Sequence, residues 1–214
     1  MSEDPEASRR ARLVERIAAS TQITDTPILL AFAAVPRHEF LAESQRAVAY
    51  EDRALNLDDG QTVSQPSMIA IMLQELACEP THRALEVGAG SGYAAAVLGR
   101  LVREVYGLEV RPALAERARR TLARVGIGNV QVLDGDGRRG LPEQAPFDRI
   151  LVSAAASAVP EALVEQLAKG GRLAMPVGDS HGQTLVIAEK TQENEVIWTR
   201  TVPCVFVPLI GGSG

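Results

Sequence analysis

Apolar residues recur at helical spacing over residues 8–19 and 27–35, and Thr26-Pro27 reads as an N-cap followed by proline in the first turn, so the chain opens on a helical layer. From Arg83 onward, short apolar runs alternate with longer amphipathic stretches. This pattern predicts strands at 84–87, 104–109, 130–134, 149–153 and 171–177, with helices at 92–101, 112–124 and 160–168. Such alternation implies a mostly parallel sheet with helices on both faces. Residues 184–189 and 196–207 read as two further strands about the polar turn Gln192-Glu193-Asn194, an antiparallel C-terminal ribbon that closes the sheet. Between the helical layer and the first strand lie Tyr50-Glu51-Asp52-Arg53 and the run from Asp58 to Pro66, too polar for core, followed by a helix at 67–77.

Composition narrows the class. With 214 residues, 46% hydrophobic and 23% charged, the chain has enough apolar material for one sizeable core. A net charge of −5 lacks the basic footprint of a general nucleic-acid binder, so DNA and RNA are discounted as partners. Cys78 and Cys204 stand alone, neither a CxxC pair nor a disulfide framework, and read as buried free thiols. His38, His82 and His181 are scattered, and no metal site is indicated. The first ten residues carry acids where a secretory signal needs basic residues and an apolar run. No apolar stretch approaches the ~20 residues needed to span a bilayer, so a cytoplasmic protein without membrane contact is expected.

The chemistry concentrates at residues 84–92, Ala-Leu-Glu-Val-Gly-Ala-Gly-Ser-Gly, where an apolar strand runs into Gly88, Gly90 and Gly92 and then into an alanine-rich helix. Lacking Cβ atoms, these glycines permit a tight turn and let a nucleotide-like group lie against the backbone. Tight strand-to-helix turns also occur without ligands, so the turn gains meaning from Glu109, at the end of the next strand and nineteen residues beyond Gly90, where a carboxylate can accept hydrogen bonds from ribose hydroxyls. A dinucleotide site favours Gly-x-Gly-x-x-Gly, with a pyrophosphate at the helix N-terminus. Here the spacing is Gly-x-Gly-x-Gly, and Glu86 in the turn would repel a pyrophosphate and attract a cationic amino-acid-bearing nucleoside. S-Adenosylmethionine fits better than NAD. Beyond the next strand, Leu133-Asp134-Gly135-Asp136-Gly137 falls at the same sheet edge, and Asp136 is placed to accept from an adenine amino group. Three such loops in one βαβαβ unit point to a methyltransferase site.

Further stretches carry a resemblance: Val35-Pro36-Arg37-His38-Glu39-Phe40, Gly60-Gln61-Thr62-Val63-Ser64, Gly135-Asp136-Gly137, Gly170-Gly171-Arg172-Leu173 and Phe206-Val207-Pro208-Leu209. From about residue 35 to 210 the chain closely resembles the protein-L-isoaspartate O-methyltransferase family. The resemblance implies a Rossmann-like, S-adenosylmethionine-dependent methyltransferase fold in a single domain. Residues 1–80 then form the helical layer and acceptor loop, 81–210 the methyltransferase core, and 211–214 a flexible tail. It further implies that Ser64 is the active-site hydroxyl, which orients the acceptor carboxylate, and that Gln61, Thr62 and Val63 line the cofactor beside Glu86, Gly88, Gly90, Gly92, Glu109, Asp136 and Gly137. A competing role for Thr62 or Ser64 is to cap the helix after Pro66.

The implied substrates are proteins and peptides containing L-isoaspartate, methylated on the free α-carboxylate, with S-adenosylhomocysteine as product and a succinimide on the route back to aspartate. A carboxylate is already ionised near neutral pH, so no general base is required. Extended backbone pairing near Leu209 is the expected mode of peptide recognition. Departures from the family pattern include Asp58 and Asp59 before Gly60, Ser153 where threonine is usual, and Ser157-Ala158. The extra acids leave open a paralogue methylating a dedicated partner, and a non-catalytic S-adenosylmethionine-binding protein is a third reading. A monomer is favoured.

Overall fold

The computed structural model describes residues 5–57 and 60–211, so the expectations for Asp58, Asp59 and most of the glycine tail lie outside the described residues. Two helices open the chain, α1 (Pro5–Thr21) and α2 (Thr26–Ala34). Leu13 and Ile17, one turn apart on α1, are fully buried and seat the helix on its neighbours. The N-cap of α2 is Asp25 rather than Thr26: its carboxylate accepts from the Ile28 N–H at 3.3 Å, a stronger acceptor one position earlier. Two 3-10 turns follow, Arg37–Phe40 and Glu43–Val48. A small antiparallel hairpin, β1 (Leu55–Asn56) with β2 (Thr62–Val63), then leads into α3 (Pro66–Leu76).

The remainder alternates as the pattern predicts: β3 (Arg83–Val87), α4 (Tyr93–Leu98), β4 (Glu104–Glu109), α5 (Pro112–Arg124), β5 (Val130–Asp134), β6 (Phe147–Val152), α6 (Glu161–Glu165), β7 (Leu167–Asp179), β8 (Gly182–Lys190) and β9 (Val196–Cys204). The seven strands β3 to β9 form one sheet, separate from the hairpin, in the order β5-β4-β3-β6-β7-β8-β9. Strands β5 through β7 run parallel, while β8 and β9 are antiparallel additions.

Both faces of the sheet are covered, which explains the near-continuous apolar runs. Ala84, Val105, Leu151 and Ala174 join the core on one face, shared with α1 through α5, and Leu85, Tyr106, Ile150 and Leu173 join a second core on the other. The helix predicted at 160–168 stops at Glu165, and the next strand starts at Leu167 rather than 171. Leu167 already pairs with Phe147, and Gly170, at φ +74°, absorbs the irregular register before Arg149 pairs with Arg172. The final strand ends at Cys204, not 207, because the chain leaves the sheet and crosses back over its carboxyl edge: Ala155 N–H donates to the Val207 carbonyl at 2.8 Å, and Leu209 N–H to the Ala155 carbonyl at 2.7 Å. Among the described residues no helix is long and apolar enough to cross a membrane.

Candidate active site

The parallel strands present their carboxyl ends to one cavity of about 670 Å3, counting the space open to solvent, within the usual range for small-molecule sites. Gln61, Thr62, Val63, Ser64, Glu86, Gly88, Gly90, Glu109, Gly137 and Leu209 all line it. Gly92 and Asp136 do not.

The glycine turn is built against β4. Gly88 and Ala89 both donate their N–H groups to the Leu108 carbonyl, at 2.9 and 3.0 Å, and Gly90 N–H donates to Glu109 Oε2 at 2.8 Å. Arg111 N–H donates to Glu109 Oε1 at 3.0 Å, so this buried carboxylate ties the turn to the start of α5 while facing the cavity. Gly88 and Gly90 adopt φ of +82° and +53°, which bare the turn's backbone toward the cavity. Gly92 serves packing instead: a Cβ there would sit 3.2 Å from Ala118 Cβ and 3.5 Å from Leu122 Cδ1 of α5, and its φ is +83°. Gly137 is required by volume, since a Cβ would lie 2.3 Å from Val87 Cγ1. Asp136 is drawn into its own loop, accepting from Arg138 N–H at 3.0 Å and pairing with the Arg138 guanidinium at 2.7 Å.

Glu86 lies within β3, beneath the turn rather than in it, and is completely buried. Its Oε1 accepts from the Ser153 hydroxyl at 2.9 Å, while Oε2 has no protein partner. Burial pushes its pKa up to about 8; the Ser153 hydrogen bond opposes the rise, and like charge on Glu109 adds to it. Burial therefore favours the protonated form of Glu86 in the free protein and weakens the attraction for a cation inferred from sequence. Ser153 escaped the sequence reading as a site residue because its role arises only where β6 meets β3 side by side.

The hairpin β1–β2 swings residues 61–64 over the cavity, with Leu55 opposite Val63 and Asn56 opposite Thr62. Neither Thr62 nor Ser64 caps α3. Asp52 does so from a distance, its Oδ1 accepting from Ser67 N–H at 2.9 Å. Ser64 also belongs to an adjoining open groove of about 920 Å3, walled by Met68 on one side and by residues 203–206 on the other. The two thiols are free and half-buried rather than fully buried: burial raises Cys78 to about 12 and Cys204, on the groove wall, to about 11.

The cavity suits S-adenosylmethionine on its own chemistry. A buried carboxyl with an unpartnered oxygen and a second buried carboxylate supply acceptors for ammonium and hydroxyl donors, and the two bared glycines allow close approach. Comparison with known proteins agrees. The family model described as protein-L-isoaspartate(D-aspartate) O-methyltransferase matches residues 8–214. A protein-L-isoaspartate O-methyltransferase of Methanopyrus kandleri is 48% identical over 220 residues, covering 100% of this chain and 97% of that protein. A solved structure of a protein-L-isoaspartate O-methyltransferase superposes with a TM-score of 0.86 at 31% identity, over 94% of this chain and 66% of that one. A Plasmodium falciparum structure, described as a putative protein-L-isoaspartate O-methyltransferase in complex with S-adenosyl-L-homocysteine, superposes with a TM-score of 0.82 at 27% identity, over 94% of this chain and 98% of the other.

Proposed function

The chain belongs to the protein-L-isoaspartate (D-aspartate) O-methyltransferase family, and from that membership we propose how its own residues divide the work. The activity is S-adenosylmethionine-dependent methylation of the free α-carboxylate of L-isoaspartyl residues in proteins and peptides, the step that opens repair through a succinimide. S-Adenosylmethionine supplies the methyl group as an activated sulfonium, with S-adenosylhomocysteine as product. Glu109 holds ribose hydroxyls, Glu86 offers its free oxygen to the cationic amino-acid portion, and Gln61, Thr62 and Val63 cover the cofactor. Gly88 and Gly90 give the cofactor backbone to lie against, and Gly137 leaves it room.

One observation carries the acceptor's placement: Ser64, together with Thr62, belongs to the cofactor cavity and to the adjoining groove at once. A peptide in the groove presents its carboxylate to the Ser64 hydroxyl, which donates a hydrogen bond and holds it toward the cavity. Apolar walls from Met68 and Phe206 exclude water, which strengthens that bond and strips the nucleophile of hydration. Positioning of two bound partners is the main source of rate. The carbonyl of Val207 and the N–H of Leu209 are taken by Ala155, so strand alternation leaves the Pro208 carbonyl and the Ile210 N–H for pairing with the peptide backbone. We take the enzyme to act as a cytoplasmic monomer on protein rather than nucleic acid, and its net charge of −5 supports the last of these.

The test is methyl transfer to an isoaspartyl peptide and to its aspartyl counterpart, with Ser64→Ala alongside. The isoaspartyl peptide should be methylated and the aspartyl one not. Removing a hydroxyl donor to a carboxylate costs about 1.5–3 kcal/mol, so kcat/KM for Ser64→Ala should fall about 10- to 150-fold. Failure on both peptides sinks the reading.

A further inference from the structure

Arg37 is among the largest fully buried side chains of the described residues, and nothing in the chemistry above uses it. Every one of its hydrogen bonds goes to a backbone carbonyl. Nη1 donates to Ala49 O at 2.8 Å and Glu51 O at 3.0 Å, and Nη2 to Arg53 O at 3.0 Å and Ser64 O at 3.2 Å. Nε has no partner. A guanidinium keeps its charge, and burying one with all its hydrogen bonds on neutral carbonyls, the Asp52 carboxylate acting only through space, is costly unless the geometry is well satisfied. So costly a group, placed under the acceptor loop, calls for a reason beyond filling space.

Its partners supply one. Three carbonyls belong to residues 49–53, the loop that carries Asp52, and Asp52 in turn accepts from Ser67 N–H at 2.9 Å and from the Gln65 side chain at 3.2 Å. The fourth carbonyl is that of Ser64 itself. Arg37 thus grips Ser64 directly and the residues after it through Asp52. On its other side the guanidinium carbon lies 5.5 Å from the centroid of the Tyr93 ring, which lines the cofactor cavity and is held edge-on by Phe32 and Phe40. A carbonyl oxygen turned toward the groove would repel an incoming carboxylate; bonded to Arg37, the Ser64 carbonyl faces the interior instead.

We propose that Arg37 is a positioning residue for the acceptor: its guanidinium draws the Ser64 carbonyl inward and clamps the 49–53 loop, which fixes the Ser64 hydroxyl for the isoaspartyl carboxylate. This rests on the reading of Ser64 given above. Lysine in its place keeps the charge but cannot span four carbonyls from one planar fork, and glutamine loses the charge as well.

The experiment compares the parent with Arg37→Lys, Arg37→Gln, Ser64→Ala and the Arg37→Lys/Ser64→Ala double variant. It measures folding by circular dichroism, S-adenosylhomocysteine affinity by calorimetry, and KM and kcat for an isoaspartyl peptide. Arg37→Lys should fold, bind S-adenosylhomocysteine within about threefold of the parent, and lose about 10-fold in kcat/KM, chiefly through peptide KM. Arg37→Gln should lose about 100-fold. In the Ser64→Ala background, Arg37→Lys should cost less than about threefold more, because both changes remove one arrangement. Fully additive losses, loss of S-adenosylhomocysteine affinity in step with turnover, or failure of both Arg37 variants to fold would assign Arg37 to general stability and overturn the inference. Parental turnover in Ser64→Ala refutes the Ser64 reading itself, whereas an impaired Ser64→Ala beside unimpaired Arg37 variants refutes only the role of Arg37.

Discussion

Glu86 gives the structure its sharpest pH signature. In the folded protein its carboxyl is raised from 4.5 to about 8, first by burial and then by like charge on Glu109, against the Ser153 hydrogen bond. The sign follows from proton linkage. Below pH 4.5 folded and unfolded chains both hold the proton; between 4.5 and about 8 only the folded chain does, so stability is lost as pH rises through that window. The slope is about 1.4 kcal/mol per pH unit, which over the whole window sets an upper bound of roughly 5 kcal/mol. Glu86→Gln mimics the protonated acid and still accepts from Ser153, so it should lack this dependence. For a chain of this length each kcal/mol moves Tm by about 2–4 °C. Between pH 5 and pH 8 the linkage amounts to about 3.5 kcal/mol, so in cofactor-free thermal melts the Tm of Glu86→Gln minus that of the parent should widen by up to roughly 7–14 °C, with other titrating groups cancelling in the difference. Parallel curves for the two proteins would show that Glu86 is ionised throughout and refute the argument. A second readout follows from the same linkage: a cationic ligand favours the carboxylate, so S-adenosylmethionine binding near pH 7 should release up to about one proton in the parent and none in the variant, read from the buffer dependence of calorimetric heats.

Two further substitutions separate cofactor contact from scaffold. Glu109→Gln loses charge-assisted bonds to the Gly90 and Arg111 N–H groups, each worth about 1.5–3 kcal/mol, as well as a ribose acceptor; calorimetry should give S-adenosylhomocysteine affinity weakened about 10- to 100-fold, and a change under threefold contradicts the assignment. Gly92→Ala forces a side chain onto φ +83° and against Ala118, costing about 2–3 kcal/mol, so Tm should drop by about 4–12 °C while affinity at 25 °C stays within threefold; lost affinity at unchanged Tm would make Gly92 a ligand contact after all.

Much of this architecture was open to reading because period and composition are local properties. The alternation from β3 to α5 is set by apolar runs and glycine punctuation that any window of the chain displays, and Glu109 could be placed by counting from Gly90. What escaped depends on partners far off in sequence. Gly92 looks identical to Gly88 and Gly90 on paper, and only the approach of α5 separates a packing glycine from two that bare backbone. Glu86 reads as a charge, yet complete burial favours its protonated form and pushes its pKa up to about 8. Asp136 reads as a free acceptor until Arg138, two residues on, folds back onto it. Leu167 looks helical beside Glu165 because its strand pairing with Phe147 is fixed across twenty residues. Arg37 is followed by His38 and Glu39, so nothing local marked it as buried; its four carbonyl partners appear only in the fold.

The placement of charge across the site follows from the reaction it serves. Methyl transfer here joins a cation to an anion and leaves two neutral products, so both charges must be drawn out of water and neither may be bound so tightly that its neutralisation becomes uphill. On the acceptor side, an arginine in direct contact with the substrate carboxylate would hold the nucleophile as a strong ion pair and dull it. Arg37 instead donates to the Ser64 carbonyl and to three others, so on the proposed reading it is a neutral hydroxyl that meets the acceptor.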